Sequence, residues 1–169
     1  MPTVTFSPEL TLLYLLSGVI GVTLHELGHL LVPLRVSRAP VTLQVGPDWS
    51  RPLLRFTLGR VNVDVRRVCF WAGRAIWQAP LSPGQRALAL ALGPFTSLLL
   101  TAAGLALLGS VIEPFGRALA GYSAVQALIT LLPIRRYPAW VGLPGTPSDG
   151  AQLLALYRSW RQATELSPE

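Results

Sequence analysis

The sequence has little charge, only two histidines, one cysteine and no lysine. Charged residues make up 13% of the 169, where soluble domains usually carry about 25%. With a mean hydropathy of +0.47, that shortfall points to a lipid bilayer. All 14 basic residues are arginine, and the net charge is +6. They form no basic helix and no stacking-aromatic module, which argues against a nucleic-acid partner. The lone Cys69 excludes an intrachain disulfide and a cysteine-pair metal site. It reads as a small apolar filler in a strand. Residues 1–9 contain no Lys or Arg. The apolar run after them outlasts the roughly 15 residues of a signal-peptide core, so it reads as a retained membrane helix.

Both histidines fall in one stretch, His25-Glu26-Leu27-Gly28-His29. On a helix, positions i and i+4 lie about 40° apart on one face. His25 and His29 can therefore grip one metal ion, with Glu26 beside them to take a proton from the attacking water. The motif sits in an apolar run from Leu10 to Leu34. A hydrocarbon core of about 30 Å needs about 20 helical residues, so the run is long enough to span. Ionisable groups inside such a run are costly and usually functional.

Residues 35–86 change period. Val41–Val45, Leu54–Leu58 and Val61–Val65 alternate apolar with polar, as half-buried strands do. Gly59-Arg60 between the last two suits a type II′ hairpin turn. A small antiparallel element, a hairpin or three-stranded sheet, is expected, with an exposed edge able to bind an extended peptide by strand addition. Residues 87–112 carry no charge and predict a second spanning helix, interrupted by Gly93-Pro94. A third uncharged run, 118–134, ends at Leu132-Pro133. Ser148 then reads as the N-cap of a last, amphipathic helix. The expected architecture is a mainly α, polytopic membrane protein in one domain, residues 1–169. Its three-helix transmembrane core comprises helices 8–34 and 87–112 and a broken helix 117–134 plus 148–162, with the β-rich region 35–86 between the first two. The arginine-rich segment 35–86 and the C-terminal arginines place those parts in the cytoplasm and the N-terminus outside, in the cell membrane.

A catalytic zinc site takes three protein ligands and leaves a position for water. An extended third-histidine motif would need ligands where Val32 and Arg35 stand. Cys69 lies among arginines. Asp48 and Asp64 look solvated, Glu113 falls on the far side, and Glu165 and Glu169 lie in a polar tail. Asp149 opens a helix on the same side as the end of the first, where the helix dipole favours a carboxylate.

Four features together resemble the site-2 proteases, a family of intramembrane zinc metalloproteases. They are His25–His29 in a first membrane helix, a strand-rich segment with Leu54–Gly59, Gly93-Pro94 in the next helix, and Leu132-Pro133 followed by Asp149-Gly150. The resemblance implies one Zn²⁺ per chain held by His25, His29 and Asp149, with Glu26 as the catalytic acid–base. It implies cleavage of membrane-protein or peptide substrates, with Gly93, Pro94 and Ser97 positioning the substrate. Ser97 stands where the family often has Asn. Gly145-Thr146 replace an Asn-Pro, and Pro133 and Asp149 are 16 positions apart instead of a few. The altered Asn positions are the support for one rival, a non-catalytic membrane protein of the same fold that binds client proteins; the intact His25, Glu26, His29 and Asp149 set argues against it.

Overall fold

In the computed structural model, residues 7–165 are described. Ser7 caps the first helix by accepting from the Leu10 N–H, and Pro8 sits at its first turn. Helix α1 (Pro8–Val36) then runs 29 residues. Its C-terminal carbonyls at Leu34 and Ser37 receive the Arg60 guanidinium.

Four strands follow: β1 (Val41–Val45), β2 (Pro52–Leu58), β3 (Val61–Arg66) and β4 (Gly73–Trp77). The sheet order is β2-β3-β1-β4. β2 and β3 form the expected hairpin. Gly59 has φ +58°, and among the described residues no non-glycine residue, Arg60 included, has positive φ, the pattern of a II′ turn. β1 pairs parallel to β3 and antiparallel to β4, so the sheet is mixed and four-stranded. Val41, Leu43, Val45 and Val63 pack one face onto Val22 and Leu30 of α1.

Helix α2 (Pro83–Ala106) opens with a reciprocal capping box between Ser82 and Gln85. It continues through Pro94 and stops six residues short of the uncharged run's end. Helix α3 (Glu113–Leu131) packs against α1 and α2. Helix α4 (Asp149–Glu165) packs against the ends of α2 and α3.

The expected three-helix transmembrane core is overturned. Among the described residues only α1 and α2 are long and apolar enough to cross a membrane. α3 begins at Glu113, includes Arg117, and carries Tyr122, Ser123 and Gln126 on a surface that packs inward. An uncharged stretch of sequence overstated its apolarity. The third element is two separate helices, and the β part is a mixed sheet rather than a small antiparallel one. The chain is therefore a four-helix, four-strand protein with two candidate spans.

The arginines of the sheet region also have structural partners. Arg55 and Arg66 pair with Asp64, and Arg74 pairs with Asp48. Asp48 and Asp64, expected to be solvated, thus tie the sheet together. Cys69 lies in the turn between β3 and β4 instead of in a strand.

Candidate metal centre

Along α1, the i, i+4 spacing gives two adjacent stripes with different neighbours. Val22, Glu26 and Leu30 form one, and Val22 and Leu30 belong to the core against the sheet. Gly73 of β4 comes so close that a Cβ there would meet Glu26 at 2.6 Å and Val22 at 2.8 Å. The Ala75 N–H of the same strand is directed at the Glu26 carboxyl. That group therefore turns away from β1 toward the free edge of the sheet.

The second stripe, His25 and His29, faces α2. Three residues of α2 at the same spacing receive it. His29 Nδ1 lies 2.8 Å from the Ala89 carbonyl, and His25 Nδ1 lies 2.8 Å from Ser97 Oγ. Gly93 sits between them, where a Cβ would fall 2.2 Å from His29 Nε2. A carbonyl only accepts, so His29 must donate through Nδ1–H, which leaves Nε2 a lone pair. The Ser97 hydroxyl can accept from His25 Nδ1–H, and in that tautomer Nε2 of His25 is free as well. Ser97 is fully buried behind His25. Its hydroxyl contacts the His25 ring at Nδ1. Pro94 is also buried within α2.

Asp149 arrives from the far end of the chain. The long gap after Pro133 is closed at its base: the Ser148 N–H donates to Ile134 O at 2.9 Å, and Ser148 Oγ bonds both Leu132 O and the Ile134 N–H. The same hydroxyl accepts from the Ala151 N–H, as an N-cap should. Segment 135–147 is thus a side excursion, and Asp149 follows directly on the end of α3. Burial alone would push its carboxyl up, but the two imidazoles beside it outweigh burial and hold it at about 2. Tyr137 is buried in the excursion and was not singled out from the sequence. Burial, then the charges of Asp149 and Glu26, push its hydroxyl up to about 12, which marks it as a neighbour of the site.

The three candidate ligand atoms converge. His25 Nε2 and His29 Nε2 are 3.2 Å apart, and each is 3.4 Å from Asp149 Oδ2. Zinc bonds of about 2.0–2.2 Å in a tetrahedron would set the ligand atoms about 3.3–3.6 Å apart. The set could hold a metal ion, and it is the only such group among the described residues. Among the described residues Cys69, Asp48, Asp64 and Glu113 do not join it; Glu169 and the Glu165 side chain lie outside them.

No family model matches the chain, and no curated protein matches it.

Proposed function

We propose that the chain is a zinc-dependent endopeptidase that cleaves membrane-associated proteins, as the site-2 protease resemblance implies. The observation that carries this reading is the triangle of His25, His29 and Asp149 atoms at zinc-like spacings, with a buried carboxylate next along the helix. Two nitrogens and one oxygen suit zinc and leave a fourth position for water. Bound there, zinc would supply Lewis acidity, lowering the pKa of a water from 15.7 toward about 7.

In this reading Glu26, buried next to His25 along α1, takes the proton from that water and returns it to the leaving amine. The peptide C–N bond breaks, the carbonyl carbon gains the oxygen, and the nitrogen leaves as an amine. A substrate helix hides its carbonyls in hydrogen bonds, so it must first be opened. The free edge of β4 offers backbone groups beside Glu26, and an extended peptide added there runs past the acid–base.

The membrane setting is supported by exposure. Only 33% of the apolar window of α1, and of α2, is buried. Leu12, Leu16, Leu31, Leu98, Leu99 and Leu105 lie open. A surface this apolar calls for a partner or a bilayer. The sheet region and C-terminus belong on the cytoplasmic side in this reading, and the N-terminus outside.

Glu26→Gln tests the reaction. Zinc should remain at one per chain by metal analysis, while cleavage of a membrane substrate falls by about 10²–10⁴. Cleavage undiminished in the variant overturns the role of Glu26. A purified chain that binds no zinc overturns the whole reading, and zinc bound without cleavage by the native chain favours the client-binding rival.

A further inference from the structure

The excursion between α3 and α4 is the part of the chain that the site-2 protease resemblance does not cover: Pro133 and Asp149 stand 16 positions apart instead of a few. It contains Pro138, Pro144 and Pro147, with Gly142 and Gly145 at φ +93° and +74°. Proline stiffens the chain and glycine supplies the turns. Its base is fixed. Ser148 closes it against Leu132 and Ile134, and the Tyr137 N–H donates to Thr146 O at 2.9 Å. The Tyr137 side chain is buried, its hydroxyl 3.4 Å from Ile129 O of α3.

The tip, residues 138–145, leaves that base and crosses to the sheet, where it rests on two loops. The Asp48 N–H donates to Gly142 O at 2.8 Å, and a Cβ on Gly142 would fall 2.1 Å from Pro47 Cβ. The ring centroids of Trp140 and Trp71 are 6.4 Å apart. Among the described residues, the bond from Asp48 is the one backbone hydrogen bond between tip and sheet. Trp71 and Trp140 remain 47% and 69% exposed. A seat made of one hydrogen bond and two half-open rings opens at low cost, unlike the packed helices around it.

The two supports of the tip border the open side of the metal centre. Asp149 follows the base directly, and its side chain is 13% exposed, whereas His25, Glu26 and His29 are buried. Trp71 stands two positions before Gly73, which lies against Glu26 on β4, the strand with a free outer edge. The centre is therefore open between the start of α4 and the edge of β4, and the tip joins those two sides. From this bridging we infer that residues 138–145 are a movable strap that gates the metal centre. Seated on Pro47 and Trp71, it restricts access to the histidines; lifted, it admits an extended peptide to the β4 edge. The shielding of the histidines stands on the contacts of the tip. The admission of a substrate rests on the hydrolytic reading above, and lids that open and close over a site are a common way of controlling such access.

Histidine reactivity tests the strap in the full chain, in detergent and stripped of metal by a chelator. The chain has two histidines, so carbethoxylation of histidine by diethyl pyrocarbonate reports this site alone. In a Trp71→Cys/Trp140→Cys protein that also carries Cys69→Ser, a short bis-methanethiosulfonate tethers the tip to the sheet. The tether should slow the histidine reaction about tenfold, and reduction should restore it. Gly142→Ala, whose added Cβ collides with Pro47, should unseat the tip and speed the reaction about tenfold over the native chain. Equal rates in the tethered and the reduced protein overturn the strap, whatever Gly142→Ala does. With zinc restored, the tether should lower cleavage of a membrane substrate in the same proportion while zinc stays at one per chain. Cleavage unaffected by a tether that does slow the histidine reaction overturns the gating of substrate. A native chain that binds no zinc or cleaves nothing overturns the hydrolytic reading instead, and the histidine rates still decide the strap.

Discussion

At the residue scale, the site depends as much on what stands behind the histidines as on the histidines themselves. Ala89, Gly93 and Ser97 form one stripe of α2, and each does something different for the pair opposite: a carbonyl orients His29, an absent side chain makes room, and a hydroxyl orients His25. Losing a group that orients a metal-bound histidine typically costs 10–100-fold in metal affinity, about 1.4–2.7 kcal/mol. Ser97→Ala should weaken zinc by that factor in a chelator competition, and Ser97→Thr, which keeps the hydroxyl, should recover much of it. Affinity unchanged in Ser97→Ala would remove Ser97 from the site. Gly93→Ala should be harsher. The added Cβ falls 2.2 Å from His29 Nε2, so the ring must move. Metal analysis should find zinc largely lost, and a variant that keeps full zinc would mean that α2 can retreat. Gly93 and Ser97 were visible in the sequence as part of a motif. Their places against His29 and His25 were not, because the motif gives spacing along α2 but not the face of α1 that it meets.

At the element scale, the legible parts were those whose signal is local. Period-two alternation marked β1, β2 and β3, and Gly59 marked the hairpin turn. β4 went unseen because Gly73-Arg74-Ala75-Ile76-Trp77 offers neither strict alternation nor a β-branched run, and it forms by pairing with β1, roughly 30 positions earlier. The parallel pairing of β1 with β3 is likewise a long-range fact. α3 was misread as part of a span for the opposite reason: an absence of charge was taken for apolarity, although its inward polar groups meet α1. The junction of α3 and α4 is tight enough to test. A Cβ at Gly150 would fall 1.9 Å from the Leu131 carbonyl oxygen, a backbone atom with little freedom to move. Gly150→Ala should therefore push α4 off α3 and carry Asp149 away from the histidines. Zinc should be lost while most helical circular dichroism remains. Gly84→Ala, where a Cβ meets nothing within 4 Å, should leave zinc unchanged; equal effects of the two substitutions would refute the steric account.

At the scale of the whole molecule, two kinds of surface compete to say where the protein resides. α1 and α2 present exposed leucines along much of their length. The arginines of the sheet region gather at the end where α1 finishes and α2 begins, although Arg55, Arg66 and Arg74 are engaged in ion pairs and Arg60 caps α1. Those engaged arginines weaken a topology argument based on counting charge, because part of the charge serves the fold. The apolar skin is the firmer ground. Leaving it in water would expose large leucine side chains at about 25 cal/mol for each Å², whereas lipid tails remove that cost. Membranes from expressing cells should therefore retain the protein through an alkaline carbonate wash and release it only into detergent. Release by carbonate alone would mean that protein, not lipid, covers α1 and α2, and the proposed substrates would then have to be sought among soluble chains.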